Sequence, residues 1–240
     1  MRILLTNDDG IHAEGMRVLL DWARTIGDVM VAAPKCEQSA KSHAIEIHKP
    51  FEVKRVDMGC GITGYSVDST PADCVRFAIL GLHEKFDLVI SGINRGLNIG
   101  RDIIYSGTVA AVFEAAALGT KGIALSTQPS SFDSARAHLD RVWAYVQDQR
   151  LLEKGDIYNI NIPDPTDGRI HITRQGGPYY SDDFLPIGND MYRPTGKSIY
   201  EEGSDAHLDT DVTLHGGISI SPLTVDRTDR KVFDALSGES

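Results

Sequence analysis

Ile3-Leu4-Leu5-Thr6-Asn7-Asp8-Asp9-Gly10 is the stretch whose reading decides the fold. Three consecutive apolar residues suit a short strand buried on both faces of a parallel sheet. Two adjacent carboxylates and a glycine follow. Ligands of such sheets bind beyond the carboxyl ends of the strands, which is where Asp8 and Asp9 would lie. Neighbouring side chains of a strand point to opposite faces, so both acids serve one site only if the chain has already turned. Asn7 and Gly10 permit that turn. Paired carboxylates repel, and a hard divalent cation with oxygen ligands removes the repulsion. The plainer reading is an acidic turn in which Asp9 caps the next helix.

Working outward, Met16, Leu19, Leu20 and Ala23 place an apolar face on a helix over roughly Glu14 to Thr25, which Gly27 ends. Val29-Met30-Val31-Ala32-Ala33 is a second buried strand. The two strands and the helix make a right-handed βαβ unit. The polar loop Pro34 to His43 opens on the rim of Asp8 and Asp9 and carries Ser39 and Ser42. By itself it reads as a solvated connection. Alternation from Ile45 to Val67 predicts an antiparallel hairpin or ribbon at the sheet edge. Thr70-Pro71-Ala72-Asp73 begins a helix to about Leu82, with Asp73 expected as a capping-box acid.

Phe86 to Ile90 is a further buried strand. It empties into a loop with Asn94, Gly96, Asn98 and Gly100, where glycines let backbone N–H groups approach a ligand. Ser106-Gly107-Thr108 then opens an apolar helix from about Val109 to Leu118. A helix start of this kind is both a capping site and an anion-binding place. Gly122 to Ser126 reads as a strand, Ala135 to Gln149 as an amphipathic helix with Trp143 in the core, and Ile157 to Ile162 as a strand. Residues 1–165 are therefore expected to form an α/β core with a mostly parallel sheet. Residues 166–240 are expected to form a β-rich extension, part of which returns to the core. In it, Ile170 to Thr173 and Gly217 to Ser221 read as strands. Between them, Gly176 to Asp211 shows no helical period and reads as a long functional or interaction arm.

The chain has 240 residues, 41% hydrophobic and 24% charged, with a formal charge of -10. The acidity argues against binding polymeric nucleic acid, which needs a basic face. No apolar run is long enough to span a membrane, and Arg2 and the short run after it do not make a signal peptide. Cys36, Cys60 and Cys74 lack metal-site spacing and read as free thiols in a reducing cytoplasm.

Four features thus share one rim: Asp8 with Asp9, the Ser39 loop, the Asn94/Asn98 loop and the Ser106 helix start. Oxygen donors favour magnesium, manganese or calcium over zinc. His12 and His43 read as hydrogen-bonding residues rather than ligands. The implied chemistry is metal-assisted phosphate-ester hydrolysis. A phospho-acceptor receiver is a poor alternative, because the middle strand ends in Ser91-Gly92 where that fold needs Asp. A non-catalytic metal- or nucleotide-binding module is the other alternative, although the dinucleotide fingerprint is absent.

Leu5 to His12, Ser39 to His43, Thr70 to Val75, Ser91 to Gly96, Tyr105 to Val109, Thr210-Asp211 and Ile218 to Leu223 together resemble the SurE (stationary-phase survival protein) nucleotidases. The resemblance covers most of the chain. It implies hydrolysis of nucleoside 5'- and 3'-monophosphates with one divalent metal ion per subunit (magnesium, manganese or cobalt), and short polyphosphate as a further substrate. By position it implies metal ligands Asp8, Asp9, Ser39 and Asn94, and a phosphate cradle of Asn98, Ser106, Gly107 and Thr108. Asp8, Asp9, Asn98 and Ser106 would be the catalytic set. It also implies a Rossmann-like, doubly wound catalytic core over residues 1–165, and a homodimer or homotetramer built by the β-rich C-terminal extension over residues 166–240. Lys35-Cys36-Glu37 and Arg101 depart from the family pattern and bear on base preference and relative substrate rates.

Overall fold

Ile3, Leu4 and Leu5 are wholly buried, and they divide between the two faces of the sheet as strand periodicity requires. Their strand, β1 (Arg2–Thr6), lies at the centre of a nine-stranded sheet in the computed structural model, which describes residues 1–238. Ile3 and Leu5 pack with helix α1 (Glu14–Ala23) and helix α4 (Asp133–Asp148), whereas Leu4 packs with helix α2 (Pro71–Arg76) and helix α3 (Gly107–Ala117). Helices thus cover both faces, which is the doubly wound α/β architecture. Each fully buried Leu or Ile contributes roughly 1.5–3 kcal/mol, so the central strands anchor the fold.

The remaining strands are β2 (Asp28–Pro34), β3 (Val53–Asp57), β4 (Thr63–Val67), β5 (Leu88–Arg95), β6 (Lys121–Thr127), β7 (Ile157–Ile162), β8 (Ile170–Ile172), β9 (Tyr180–Gly188), β10 (Met191–Ser198) and β11 (Ile218–Leu223). The sheet order is β3-β4-β2-β1-β5-β6-β7-β11-β8. Strands β4, β2, β1, β5, β6 and β7 run parallel. From β1 the chain builds outward on one side through β2 and then returns to β5 on the other. The topological switch point therefore lies between β1 and β5, and the ends of these two strands carry Asp8 and Asn94.

Residues 45–67 contain the expected antiparallel pair at the sheet edge, β3 with β4. Helix α2 is shorter than its pattern predicts and continues as a π-helical segment, Phe77–Gly81. Trp143 is only half-buried and meets Trp22 edge-on at 6.2 Å, so it seals the margin of the core rather than filling it. Asp73 differs from expectation as well. Its N–H donates to Thr70 Oγ1, but its carboxylate accepts from Glu46 N–H at 2.9 Å and Ser69 Oγ at 2.5 Å. It ties a neighbouring loop to the helix instead of closing a capping box.

The C-terminal third divides. Strand β11 joins the main sheet antiparallel to β7, and β8 lies beyond it. The stretch 176–211 is not irregular throughout: β9 and β10 form an antiparallel hairpin that, among the described residues, pairs only with itself, and helix α6 (Asp209–Leu214) starts inside it. Phe184, Leu185, Ile187, Met191 and Tyr192 of the hairpin are all exposed. A short helix α5 (Leu151–Lys154) precedes β7, and α7 (Arg230–Ser237) follows β11.

Candidate active site

Asp8 sits two residues beyond the end of β1 at 4% exposure, close to the N-terminus of α3. Thr108 Oγ1 donates to its Oδ1 at 2.5 Å. A Cβ at Gly107 would lie 2.8 Å from Asp8 Cβ, so only glycine permits this approach. Burial raises the Asp8 carboxyl to about 6, opposed by the Thr108 hydrogen bond and reinforced by the charge of Asp9. Asp9 is less buried, and its carboxyl is also raised, first by burial; the Arg95 N–H, which donates to its Oδ2 at 3.1 Å, opposes the rise. The chain has turned between the acids and the strand. Asn7 Nδ2 donates to Gly10 carbonyl at 2.9 Å across this turn, while Asn7 Oδ1 is buried and has no protein partner among the described residues.

Asn94 reaches the same rim through a bulge. The pairing of β5 with β6 shifts between Ser91 and Asn94. Gly92 makes the bulge feasible, since it has φ +143° and a Cβ there would stand 2.4 Å from Leu125 carbonyl oxygen. Asn94 Nδ2 donates to Gly96 carbonyl at 2.7 Å, which leaves its amide oxygen free to accept.

The Ser39 loop is docked beside Asp8, because Gln38 N–H donates to Asp8 carbonyl at 2.7 Å. Ser39 itself is exposed, and its Oγ donates to Glu37 Oε1 at 2.6 Å. A cation could recruit Ser39 only by exchanging that bond. Further along, Ser42 N–H and Oγ donate to Tyr105 and Ile104 carbonyls. His43 bonds Glu114 at 2.8 Å, in keeping with its reading as a hydrogen-bonding residue, and His12 is exposed.

Asn98 and Ser106 bracket a 3-10 segment, Gly100–Tyr105. Asn98 is held on every side. Its N–H donates to Asn161 Oδ1, its carbonyl accepts from Asn159 and Asn161, and its Nδ2 donates to Ser126 Oγ, all within 2.9 Å. Ser106 Oγ accepts from Val109 N–H as the N-cap of α3. The first-turn N–H groups at Gly107 and Thr108 are the donors such a helix start offers to an anion.

Three sets of buried polar contacts around this rim were not singled out by sequence reasoning. Asn159 and Asn161 alternate with isoleucines along β7, and their inward amides are legible only as an interruption of a buried strand. Glu114, 6% exposed on α3, accepts from both His43 and Arg76. A carboxylate in the middle of an apolar helix was the available signal. Asp209, 1% exposed, faces the Asn98 loop from the far end of the chain, and nothing local marks it.

Among the described residues, no cluster of three or more His, Cys, Asp or Glu is placed to hold a metal. A cation on this rim would rely on two carboxylates plus neutral oxygens. That set suits a hard ion and not zinc. The buried unpartnered Asn7 Oδ1, the free amide oxygen of Asn94 and the mutual repulsion of Asp8 and Asp9 all fit such an ion.

The family described as survival protein SurE matches residues 3–182. The 5'-nucleotidase SurE of Thermoanaerobacter sp. (strain X514) is 39% identical over 250 residues, covering 99% of this chain and 97% of that protein. The 5'-nucleotidase SurE of Legionella pneumophila subsp. pneumophila (strain Philadelphia 1) is 37% identical over 249 residues, covering 99% and 96%. The crystal structure of the SurE protein from Aquifex aeolicus superposes with a TM-score of 0.78 at 29% identity, covering 99% of each chain.

Proposed function

The chain belongs to the SurE family, and from that premise and the acidic rim we propose that it is a 5'-nucleotidase dependent on a divalent metal. It hydrolyses nucleoside 5'-monophosphates to nucleoside and phosphate, and accepts 3'-monophosphates and short polyphosphate as further substrates. One observation carries the reading: the buried carboxylate of Asp8 and the N-terminus of α3 meet in direct contact. An acidic cation site and an anion-binding helix start so close together have a natural common ligand in a metal-bound phosphoryl group.

In this reading Asp8, Asp9, Asn94 and, after releasing Glu37, Ser39 hold one magnesium, manganese or cobalt ion per subunit. When bound, the ion lowers the pKa of water and polarises the phosphoryl group. Gly107 and Thr108 N–H groups, with Ser106 and Asn98, orient the phosphoryl oxygens. Thr108 Oγ1 keeps Asp8 ionised by hydrogen bonding. The fixed frame of Asn98 holds the donors in place before substrate arrives, which is where a positioned site gains its rate.

The wider assignments follow the same reading. The three cysteines are free, two of them exposed, which suits a reducing cytoplasm. Among the described residues no helix is long and apolar enough to cross a membrane, and the charge of -10 disfavours polymeric nucleic acid as partner. Residues 166–240, with their exposed hairpin, build a homodimer or homotetramer. The deciding experiment is a phosphate-release screen over nucleoside monophosphates with magnesium, manganese, cobalt or EDTA. Release with a divalent ion and none with EDTA is expected. Absence of release with every ion would overturn the reading and favour a binding module.

A further inference from the structure

Asp209 belongs to the C-terminal segment, yet its carboxylate is spent on the loop that leads to the phosphate cradle. It is 1% exposed on the first turn of α6. Gly100 N–H is shared between its two oxygens at 3.1 and 3.2 Å, and Gly176 N–H donates to Oδ1 at 2.7 Å. Gly100 is held from the same side twice more. Gln175 Nε2 donates to its carbonyl at 3.0 Å, and the neighbouring Arg101 N–H donates to Gly177 carbonyl at 3.1 Å. The fit leaves no room for adjustment. Gly100 has φ +60°, and a Cβ there would stand 2.3 Å from Gly177 carbonyl oxygen.

Gly100 is the first residue of the 3-10 segment that separates Asn98 from Ser106. Asn98 is fixed independently by Asn159, Asn161 and Ser126. The segment that joins the two halves of the cradle thus begins at Gly100, and Asp209, Gln175 and Gly177 together hold that residue and its neighbour in place. A merely structural acid would be expected to cap its own helix. Asp209 instead bonds two glycine N–H groups 109 and 33 residues away. An amide in its place keeps one acceptor oxygen and turns the other into a donor, so the two glycine N–H groups can no longer both be paired as they are, which the loop can relieve only by moving.

We propose that Asp209 is a positioning residue for phosphate: through Gly100 it aligns the Asn98 and Ser106 halves of the cradle, so that the C-terminal segment governs phosphate affinity without touching the metal ligands. This rests on the phosphatase reading above.

The test uses the full chain as Asp209→Asn, Asp209→Ala and Gln175→Leu. Inorganic phosphate serves as competitive inhibitor, and manganese alone as the probe of the acidic rim. Asp209→Asn is expected to raise both the KM for nucleotide and the inhibition constant of phosphate about tenfold, the equivalent of one hydrogen bond to a charged group. Its manganese affinity should stay within about twofold of wild type, since Asp209 bonds Gly100 and Gly176 and none of Asp8, Asp9, Ser39 and Asn94. Gln175→Leu should shift phosphate in the same direction by less, and it serves as the measure if Asp209→Ala does not fold. A variant with a lowered melting temperature but unchanged phosphate inhibition would overturn the proposal, as would equal weakening of manganese and phosphate. Wild type that binds no phosphate at all would overturn the phosphatase reading and this inference with it. Wild type that binds phosphate, with Asp209→Asn binding it equally, would overturn the inference alone.

Discussion

Thr108 Oγ1 donates to Asp8 Oδ1 at 2.5 Å, across 100 residues of sequence, and the Thr108 backbone also favours the charged form of that carboxylate. This bond joins the acid at the end of β1 to the first turn of α3. It keeps a charged carboxylate tolerable in a place almost without water. Much of the site's behaviour follows from this arrangement.

Asp8→Asn should abolish metal-dependent hydrolysis while stabilising the metal-free protein at neutral pH. Burial raises the Asp8 carboxyl from 3.8 to about 6. A group held higher in the folded state contributes stability at low pH and loses it as pH rises through the folded value. The advantage of the mutant in EDTA should therefore be small near pH 4, open through pH 6 and level off above, at no more than about 3 kcal/mol. Excess manganese reverses the order. Wild type gains about 2.7 kcal/mol at a hundredfold excess over Kd, and the mutant gains little. Thermal melts of both proteins across this pH range, with EDTA and with manganese, provide the check. An equal manganese shift in both would remove Asp8 from the metal site.

Thr108→Val keeps the shape of the side chain and deletes its donor. Asp8 then loses the strongest influence opposing its burial. The carboxyl should hold its proton to higher pH, and metal should bind more weakly below about pH 7, because a cation needs the deprotonated acid. The cost to the folded state with Asp8 ionised should be about 1.5–3 kcal/mol. The activity profile against pH should shift upward, and saturating manganese should recover most of the rate. A profile superimposable on wild type would show that the bond has no functional weight.

Glu114→Gln should destabilise the protein by about 1–3 kcal/mol at pH 7, since it weakens two charge-assisted bonds at a buried site. The His43 hydrogen bond, and then that of Arg76, hold the Glu114 carboxyl below its ordinary value. A lowered carboxyl contributes stability above its unfolded value and loses it as pH falls through the folded one. The gap between wild type and mutant should accordingly close on acidification. Denaturant melts at pH 7 and near pH 4 measure it. A gap that is constant or widens at low pH would contradict this account.

The hairpin of β9 and β10 exposes Phe184, Leu185, Ile187, Met191 and Tyr192 and pairs with no other strand among the described residues. A two-stranded hairpin is marginal by itself, and exposed apolar surface of this kind marks an interface. Light scattering at micromolar concentration should give at least a dimer. Replacing Phe184 and Tyr192 together by serine should reduce the assembly state. A monomeric wild type would count against it decisively.

The sequence alone determined the parts of this molecule that depend on local pattern. Apolar runs of strand length at Ile3–Leu5 and Val29–Ala33, and helical spacing between them, dictate a parallel βαβ core. Acids, glycines and a helix start placed directly after those strands must then share its rim, because every parallel strand delivers its carboxyl end to the same side. Tertiary structure decided what each of those residues touches. That Asp8 meets Thr108, that Asn98 is boxed by Asn159 and Asn161, that His43 and Arg76 converge on Glu114, and that Asp209 reaches back to Gly100 are contacts at separations of 38 to 109 residues. No periodicity encodes such pairs, since they arise only when packing brings strand ends together. The hairpin inside residues 176–211 escaped for a related reason. Its strands have no buried face to impose an apolar alternation, so their pairing is written in backbone hydrogen bonds alone.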